Sequence, residues 1–201
     1  MDITLKSLFR RCLSIEYINT SNECSYASEK IGDTLYIYFE KSNGLKDWKS
    51  NFNFPAKATE GFFAHRGFLA CWSELLPFVD SIIRKSDAKK IVVCGYSHGG
   101  ALAVLCHQYI CQHFKNLHLE GYGFGAPRVV WGICKCKSDW KGFTVIRNID
   151  DIVTHLPPAF FGYRHVGELI TVGQRGKYSS VDAHREENIL RELSTSDQRR
   201  L

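Results

Sequence analysis

The sequence predicts an α/β fold with a mainly parallel central sheet. Runs of β-branched and aromatic residues recur along the chain, and segments with apolar residues at helical spacing lie between them. Strands that alternate with helices pair in parallel, because each helix returns the chain to the same end of the sheet. No internal repeat, low-complexity tract or linker divides the 201 residues, so we expect a single domain over residues 1–201.

Five segments have the composition of strands, with turn residues or acids at their ends. They are "TLYIYFE" from Thr34, "IVVCGY" from Ile91, "LHLEGYGFGAP" from Leu117, "FTVIRNIDD" from Phe143 and "ELITVG" from Glu168.

Three segments show the periodicity of helices. Apolar residues at helical spacing predict a helix from Phe68 to Ile83, which Pro77 should kink or open in its second half. A second helix follows the Ile91 strand, and "HREENILREL" near the C-terminus predicts a third, before a polar tail.

Composition favours a soluble globular protein. Hydrophobic residues make up 44% and charged residues 23%, and no apolar run approaches the roughly 18 residues of a membrane-spanning helix. The first residues, "MDITLKSLFRRCLSIEY", contain no long apolar stretch typical of a secretory signal, so a cytoplasmic location is expected. The net charge of +5 comes from scattered basic residues, which argues against a nucleic-acid partner.

The eight cysteines are expected to be reduced and structural. Cys94 lies in a predicted strand, and Cys106 and Cys111 lie in a predicted helix, where free cysteine behaves as a small buried hydrophobe. No CxxC pair occurs, and Cys134 with Cys136 has poor spacing for zinc. The sequence therefore predicts no metal site.

The segment "GYSHG", residues 95–99, fits the pattern G-x-S-x-G between a predicted strand and a predicted helix. In such an elbow the serine has strained backbone angles, and both glycines are needed to avoid the strand and the helix. The start of the helix also offers partial positive charge to a developing anion. Ser97 is therefore a candidate nucleophile; the alternative is an ordinary strand-to-helix turn.

A serine nucleophile needs a histidine base and an acid that orients it, in the chain order serine, acid, histidine. Asp150 and Asp151 end a predicted strand, where such an acid belongs, although an aspartate there also caps turns. His155 is too close to these acids in sequence. His184, which opens a helix after the last strand, is the preferred base, with His165 as its rival.

Six blocks resemble the class 3 lipases, the fungal-type triacylglycerol lipase family of the α/β-hydrolase fold, and occur in that family's order. They are "HRGFLACW" at His65, "IVVCGYSHGGALAVL" at Ile91, "GFGAPRV" at Gly123, "NIDDIVTHLPP" at Asn148, "YRHVGE" at Tyr163 and "DAHREENIL" at Asp182. The resemblance runs from about Thr34 to the last helix. It implies a catalytic triad of Ser97, Asp151 and His184, and it implies that His165 is structural.

The resemblance also implies an oxyanion hole built from the backbone N–H groups of His98 and Ser42. Where the family commonly reads "FRGT", this chain reads "FEKS", with Glu40 in place of an arginine and Lys41 in place of a glycine. His98 replaces a leucine of the family, and its side chain is expected to face solvent. The next segment resembles a lid, or alternatively a helix packed permanently on the core; its apolar residues are Leu45, Trp48 and Phe52.

These inferences predict hydrolysis of lipid esters, such as acylglycerols, through an acyl-enzyme. No metal or organic cofactor is needed for this chemistry. Transient contact with a lipid surface is also expected. The altered oxyanion segment leaves one alternative open, a catalytically silent lipase-like module that binds lipid or a protein partner.

Overall fold

The computed structural model describes residues 4–20, 24–41, 55–132 and 140–197. A seven-stranded sheet forms its centre, in the order β1-β2-β3-β6-β7-β9-β11. The strands are β1 (Ile18–Asn19), β2 (Ser25–Ile31), β3 (Thr34–Phe39), β6 (Lys90–Tyr96), β7 (His118–Phe124), β9 (Phe143–Asn148) and β11 (Glu168–Val172). The five strands from β3 to β11 are parallel, and β1 and β2 add an antiparallel edge.

This sheet confirms the predicted mainly parallel arrangement. All five predicted strands are present within one or a few residues of their expected bounds. The register aligns Phe39 with Gly95, and it aligns Tyr96 with Phe124. The carboxyl ends of the parallel strands therefore meet at one edge, where α/β proteins place their functional groups.

Within the described residues, four α-helices cover the two faces of the sheet: α1 (Leu5–Ser14), α2 (Arg66–Lys85), α3 (His98–His113) and α4 (Glu186–Asp197). Alternate residues of β6 point to opposite faces, as the strand period requires. Ile91 and Val93 join the core under α2 and α3, whereas Val92 and Cys94 join the core under α1 and α4. Both faces of the central strands are thus buried, which explains their continuous apolar sequences.

The helix predicted from Phe68 to Ile83 extends from Arg66 to Lys85 and continues through Pro77 without a break. The structure also contains elements that sequence periodicity did not identify. These are α1, the edge strands β1 and β2, and a small antiparallel sheet, β10-β8-β5-β4. Its strands are β4 (Ala56–Thr59), β5 (Phe62–His65), β8 (Val130–Trp131) and β10 (Tyr163–Arg164). At two to four residues, they are too short to show a period.

Two cysteines correct the expectation that all thiols are reduced. Cys24, directly before β2, forms a disulfide with Cys71 of α2. Cys94 and Cys106 are free and fully buried, which confirms their prediction as small core residues. Cys111 is partly buried, and its Sγ lies 3.8 Å from Nδ1 of His107. Cys134 and Cys136 lie outside the described residues.

Candidate active site

Ser97 occupies the turn between β6 and α3 with φ 56° and ψ −118°. In the described part of the chain it is the only residue other than glycine with a positive φ. A backbone of this kind costs about 1–3 kcal/mol and persists only where the surroundings impose it. The Ser97 N–H donates to the carbonyl oxygen of Phe124 at 2.9 Å, which ties the turn to β7.

The two glycines of the motif are required by close backbone approaches. A Cβ atom on Gly95 would lie 2.0 Å from the carbonyl oxygen of Gly99. A Cβ atom on Gly99 would lie 2.1 Å from the carbonyl oxygen of Phe39, at the end of β3. Real Cβ atoms do not approach so closely, so the elbow and the end of β3 fit together only without these side chains. The physical reason predicted for the motif is present in the structure.

Three predicted side chains meet at the carboxyl edge of the sheet. The Oγ of Ser97 lies 2.9 Å from Nε2 of His184, and Nδ1 of His184 lies 2.8 Å from Oδ2 of Asp151. All three residues are buried, with exposed fractions of 6% for Ser97, 0% for Asp151 and 4% for His184. This chain of hydrogen bonds can move the serine proton to the imidazole, while the carboxylate orients the ring.

The two neighbouring aspartates have different environments. Asp151 accepts a hydrogen bond from the backbone N–H of Val153 at 2.9 Å through its other oxygen, so both carboxylate oxygens are occupied. Asp150 instead accepts from the backbone N–H of Gly176 at 2.8 Å, on a different segment. Only Asp151 of the pair contacts His184.

Tyr96 supports the imidazole of His184 from the side of β6. The two rings stack with their centroids 5.1 Å apart and their planes inclined by 26°. The Tyr96 hydroxyl donates a hydrogen bond to the backbone carbonyl oxygen of His184. Burial raises the pKa of Tyr96 well above its usual value, so this hydroxyl stays a donor. Sequence reasoning missed Tyr96, although its place directly before the serine was a signal.

The rival histidine lies elsewhere. Nε2 of His165 hydrogen-bonds the carbonyl oxygen of Thr154 at 2.8 Å, and burial lowers the His165 pKa to about 4. His98 does not face solvent freely, contrary to expectation. Its ring is partly buried 5.5 Å from that of Phe68, and burial lowers its pKa to about 4.

The predicted oxyanion groups are only partly within the described chain. As the first residue of α3, His98 has a backbone N–H without an intrahelical acceptor, next to Ser97. Ser42 lies outside the described residues, as do Leu45, Trp48 and Phe52 of the predicted lid. Lys41, the last described residue before that segment, forms an ion pair with Glu186 of α4.

Among the described residues, no group of three or more histidine, cysteine or acidic side chains is arranged to hold a metal ion. Within the same residues, no helix has both the length and the apolar character needed to span a membrane.

Comparisons with known proteins agree with this geometry. A family model described as lipase (class 3) matches residues 36–161. The lipase of Rhizomucor miehei is 33% identical over 147 residues, covering 67% of this chain and 40% of the relative. Secreted mono- and diacylglycerol lipase 1 of Fusarium solani is 28% identical over 149 residues, covering 69% and 44%. The chain thus spans less than half of the length of these curated relatives.

A solved structure described as "A serine protease triad forms the catalytic centre of a triacylglycerol lipase" superposes with a TM-score of 0.70 at 27% identity. The alignment covers 80% of this chain and 66% of that chain. The shared architecture is the α/β-hydrolase fold that the resemblance implied.

The expected cytoplasmic location is wrong. The Fusarium solani relative is named as a secreted protein. The disulfide between Cys24 and Cys71 is also typical of oxidising compartments rather than the cytosol. The expectation failed because it was based only on the composition of the first residues of the given sequence.

The elbow, the order of the strands and the match over residues 36–161 agree, and the match covers more than half of the chain. The protein belongs to the class 3 lipase family of the α/β-hydrolase superfamily.

Proposed function

We propose that the protein hydrolyses carboxylic esters of lipids, with Ser97 as nucleophile, His184 as general base and Asp151 as the orienting acid. The observation that carries this proposal is the buried hydrogen-bonded chain from Ser97 through His184 to Asp151. The names of the relatives, a lipase and a mono- and diacylglycerol lipase, support acylglycerols as the substrate class.

In the proposed reaction, His184 takes the hydroxyl proton of Ser97 as the oxygen attacks the ester carbonyl. Asp151 keeps the Nδ1–H tautomer and stabilises the imidazolium. His184 then gives the proton to the leaving alcohol, the ester C–O bond breaks and the alcohol departs, and the acyl group stays on Ser97 as the acyl-enzyme. A water molecule, deprotonated by the same imidazole, releases the fatty acid and restores Ser97.

The negative oxygen of the tetrahedral intermediate would be held by backbone N–H groups. His98 supplies one, because its N–H starts α3 and adjoins the nucleophile. The second is assigned to Ser42 by the resemblance alone. Loss of one such donor typically lowers the rate 10²- to 10³-fold.

The test is hydrolysis of p-nitrophenyl esters of increasing acyl length by the wild type and by Ser97→Ala. We expect the variant to lose at least 10³-fold in kcat while keeping the wild-type fold by circular dichroism. Equal rates for the two proteins would reject the proposal. Binding to lipid without any hydrolysis by the folded wild type would instead support the silent module.

We also propose that the protein acts outside the cell. The secreted relative and the disulfide between Cys24 and Cys71 support this. To test this, protein produced in a reducing cytosol is compared with protein produced in an oxidising compartment. Only the second preparation is expected to contain the disulfide between Cys24 and Cys71.

A lipid surface is the partner proposed for a patch that we call the aromatic platform. Four exposed aromatic side chains form it, Phe63, Trp131, Phe160 and Phe161, with exposed fractions of 47%, 40%, 82% and 53%. Ring contacts join Phe63 to Trp131 and Phe160 to Phe161, and Trp131 donates to the Phe161 carbonyl oxygen. Exposed aromatic clusters are unusual on monomers and suit the membrane interface.

The position of the small sheet also favours this proposal. The small sheet adjoins the site, since the His65 ring at the end of β5 contacts Phe68, which contacts His98.

Vesicles of phosphatidylcholine with and without an anionic lipid test the platform. Phe160→Ser is expected to weaken vesicle binding and slow hydrolysis of emulsified esters, with no change on a soluble ester. Phe78→Ser is the control, because Phe78 is also an exposed phenylalanine, at 47%, but lies on α2 beside Tyr26. The same loss in both variants would reject the platform.

A further inference from the structure

Lys41 joins two segments that no strand pairing connects. It lies two residues beyond the end of β3, and its ammonium forms an ion pair with Oε1 of Glu186. Glu186 follows His184 by two residues and begins α4. In the sheet, β3 is separated from β11, the strand before His184, by β6, β7 and β9. The ion pair therefore bridges the end of β3 to the turn that carries the imidazole.

The same lysine lies over the ring that supports the imidazole. Its Nζ is 6.0 Å from the centroid of the Tyr96 ring, within the range of a cation–π contact. Tyr96 stacks on His184 and donates to its carbonyl oxygen. The Tyr96 ring also meets the Phe9 ring edge-on, with the centroids 5.4 Å apart. Lys41, Tyr96 and Glu186 are thus linked to the histidine turn by an ion pair, a cation–π contact, a ring stack and a hydrogen bond.

We infer that Lys41 and Glu186 are positioning residues, which together hold the His184 turn against the elbow and the end of β3. This inference rests on the proposed function, because it concerns the alignment of the proposed base with Ser97. The residues act through the backbone and Tyr96, since neither touches Ser97 among the contacts described. The resemblance places Lys41 where the family commonly has a glycine.

The competing explanation is a solvated ion pair without consequence. The side chains of Lys41 and Glu186 are 46% and 33% exposed, and pairs at such exposure often contribute little to stability. Because of their position, we expect loss of the Lys41–Glu186 pair to lower kcat without lowering the stability of the fold. Screening at 1 M salt, where the Debye length is about 3 Å, should reproduce that effect in the wild type.

The experiment compares wild type, Lys41→Met, Glu186→Gln and the charge-swapped Lys41→Glu/Glu186→Lys on a soluble p-nitrophenyl ester at low salt and in 1 M NaCl. We expect each single variant to lose about 3- to 10-fold in kcat with KM within about twofold, and the swap to recover most of the loss. In 1 M NaCl, the kcat of the wild type should fall toward the kcat of the single variants, whereas the kcat of the single variants should change little. The midpoint of thermal unfolding should stay within about 3 °C.

Lys30→Met is the matched control. Lys30 forms an ion pair of the same kind with Asp87 but lies toward the opposite edge of the sheet, on β2. Its kcat and salt response are expected to equal those of the wild type. The inference is overturned if both single variants keep kcat within twofold of the wild type, or if Lys30→Met loses as much as they do.

Hydrogen exchange provides a readout that does not depend on activity. In Lys41→Met, we expect faster exchange in the peptide that contains residues 181–189 and unchanged exchange in α2. Faster exchange in a protein without esterase activity would support the positioning role while rejecting the proposed function. If the wild type is active, and the variants show unchanged exchange and unchanged kcat, the proposed function is supported and the positioning role is rejected.

Discussion

Replacing Gly99 by alanine tests whether the elbow and the end of β3 are fitted to each other. The new Cβ would lie 2.1 Å from the carbonyl oxygen of Phe39, whereas ordinary contacts begin at 3.4 Å. The two backbones must therefore separate by about 1.3 Å, the difference between these distances. Because a misplacement of about 1 Å can cost 10²-fold in rate, we expect kcat to fall at least about 100-fold.

The assay measures kcat on a soluble ester together with the free energy of unfolding. Overpacking of this kind also costs about 1–3 kcal/mol of stability, so a control must separate loss of fold from loss of geometry. Gly32→Ala is that control: Gly32 has φ +57° at the opposite end of β3, and a Cβ there meets nothing within 4 Å. It should lose stability through backbone strain yet keep kcat.

The reasoning is refuted if Gly99→Ala retains more than about one tenth of wild-type kcat. It is also refuted if Gly32→Ala, at equal loss of stability, loses as much activity as Gly99→Ala. Either result would mean that the close approach between the elbow and β3 has no bearing on turnover.

Three further outcomes are expected. Asp151→Asn should lower kcat by about 10⁴-fold with little change in fold, since the imidazole would adopt the wrong tautomer; steady-state rates and circular dichroism check this, and a loss below tenfold would contradict it. The double variant Cys24→Ser/Cys71→Ser should have a free energy of unfolding lower by up to about 4 kcal/mol, because the disulfide closes a loop across a separation of 47 residues. Denaturant unfolding measures this, and an unchanged free energy would contradict a stabilising role. Burial lowers the pKa values of His98 and His165 to about 4, so the unfolded chain binds more protons between pH 6.5 and 4. Stability should therefore fall as the pH drops through this window, by at most about 1.4 kcal/mol per pH unit for each proton; His165→Gln should reduce the slope in guanidinium titrations, and an unchanged slope would contradict this.

The middle of the central sheet was predictable because β3 and β6 are buried on both faces. Ile91 to Cys94 point alternately into two cores, so each residue must be apolar and the run is unmistakable. The strands β8 and β10 have only two residues each and show no period, so the small sheet could not be predicted. The disulfide was missed because a contact across 47 residues of sequence leaves no local signal.

The candidate site was predictable where chain order and local turn chemistry specify it. Ser97 could be identified from its flanking glycines, and the preference for Asp151 over Asp150 agrees with the contacts of the two carboxylates. The supports of the imidazole were not predictable. Tyr96 acts through stacking across the sheet edge and Lys41 through a partner 145 residues away, and such contacts exist only in the folded chain. The roles of Ser42 and His98 in an oxyanion hole, and the single-domain organisation, stay predictions.

The most direct test of the account is labelling with a fluorophosphonate, which reacts only with an activated serine. Incubation of the folded wild type, followed by mass spectrometry of its peptides, should find about one adduct per chain, located on Ser97. His184→Ala should leave the same serine unlabelled. A folded wild type that acquires no more adduct than Ser97→Ala would contradict the claim that Ser97, His184 and Asp151 form a working catalytic unit.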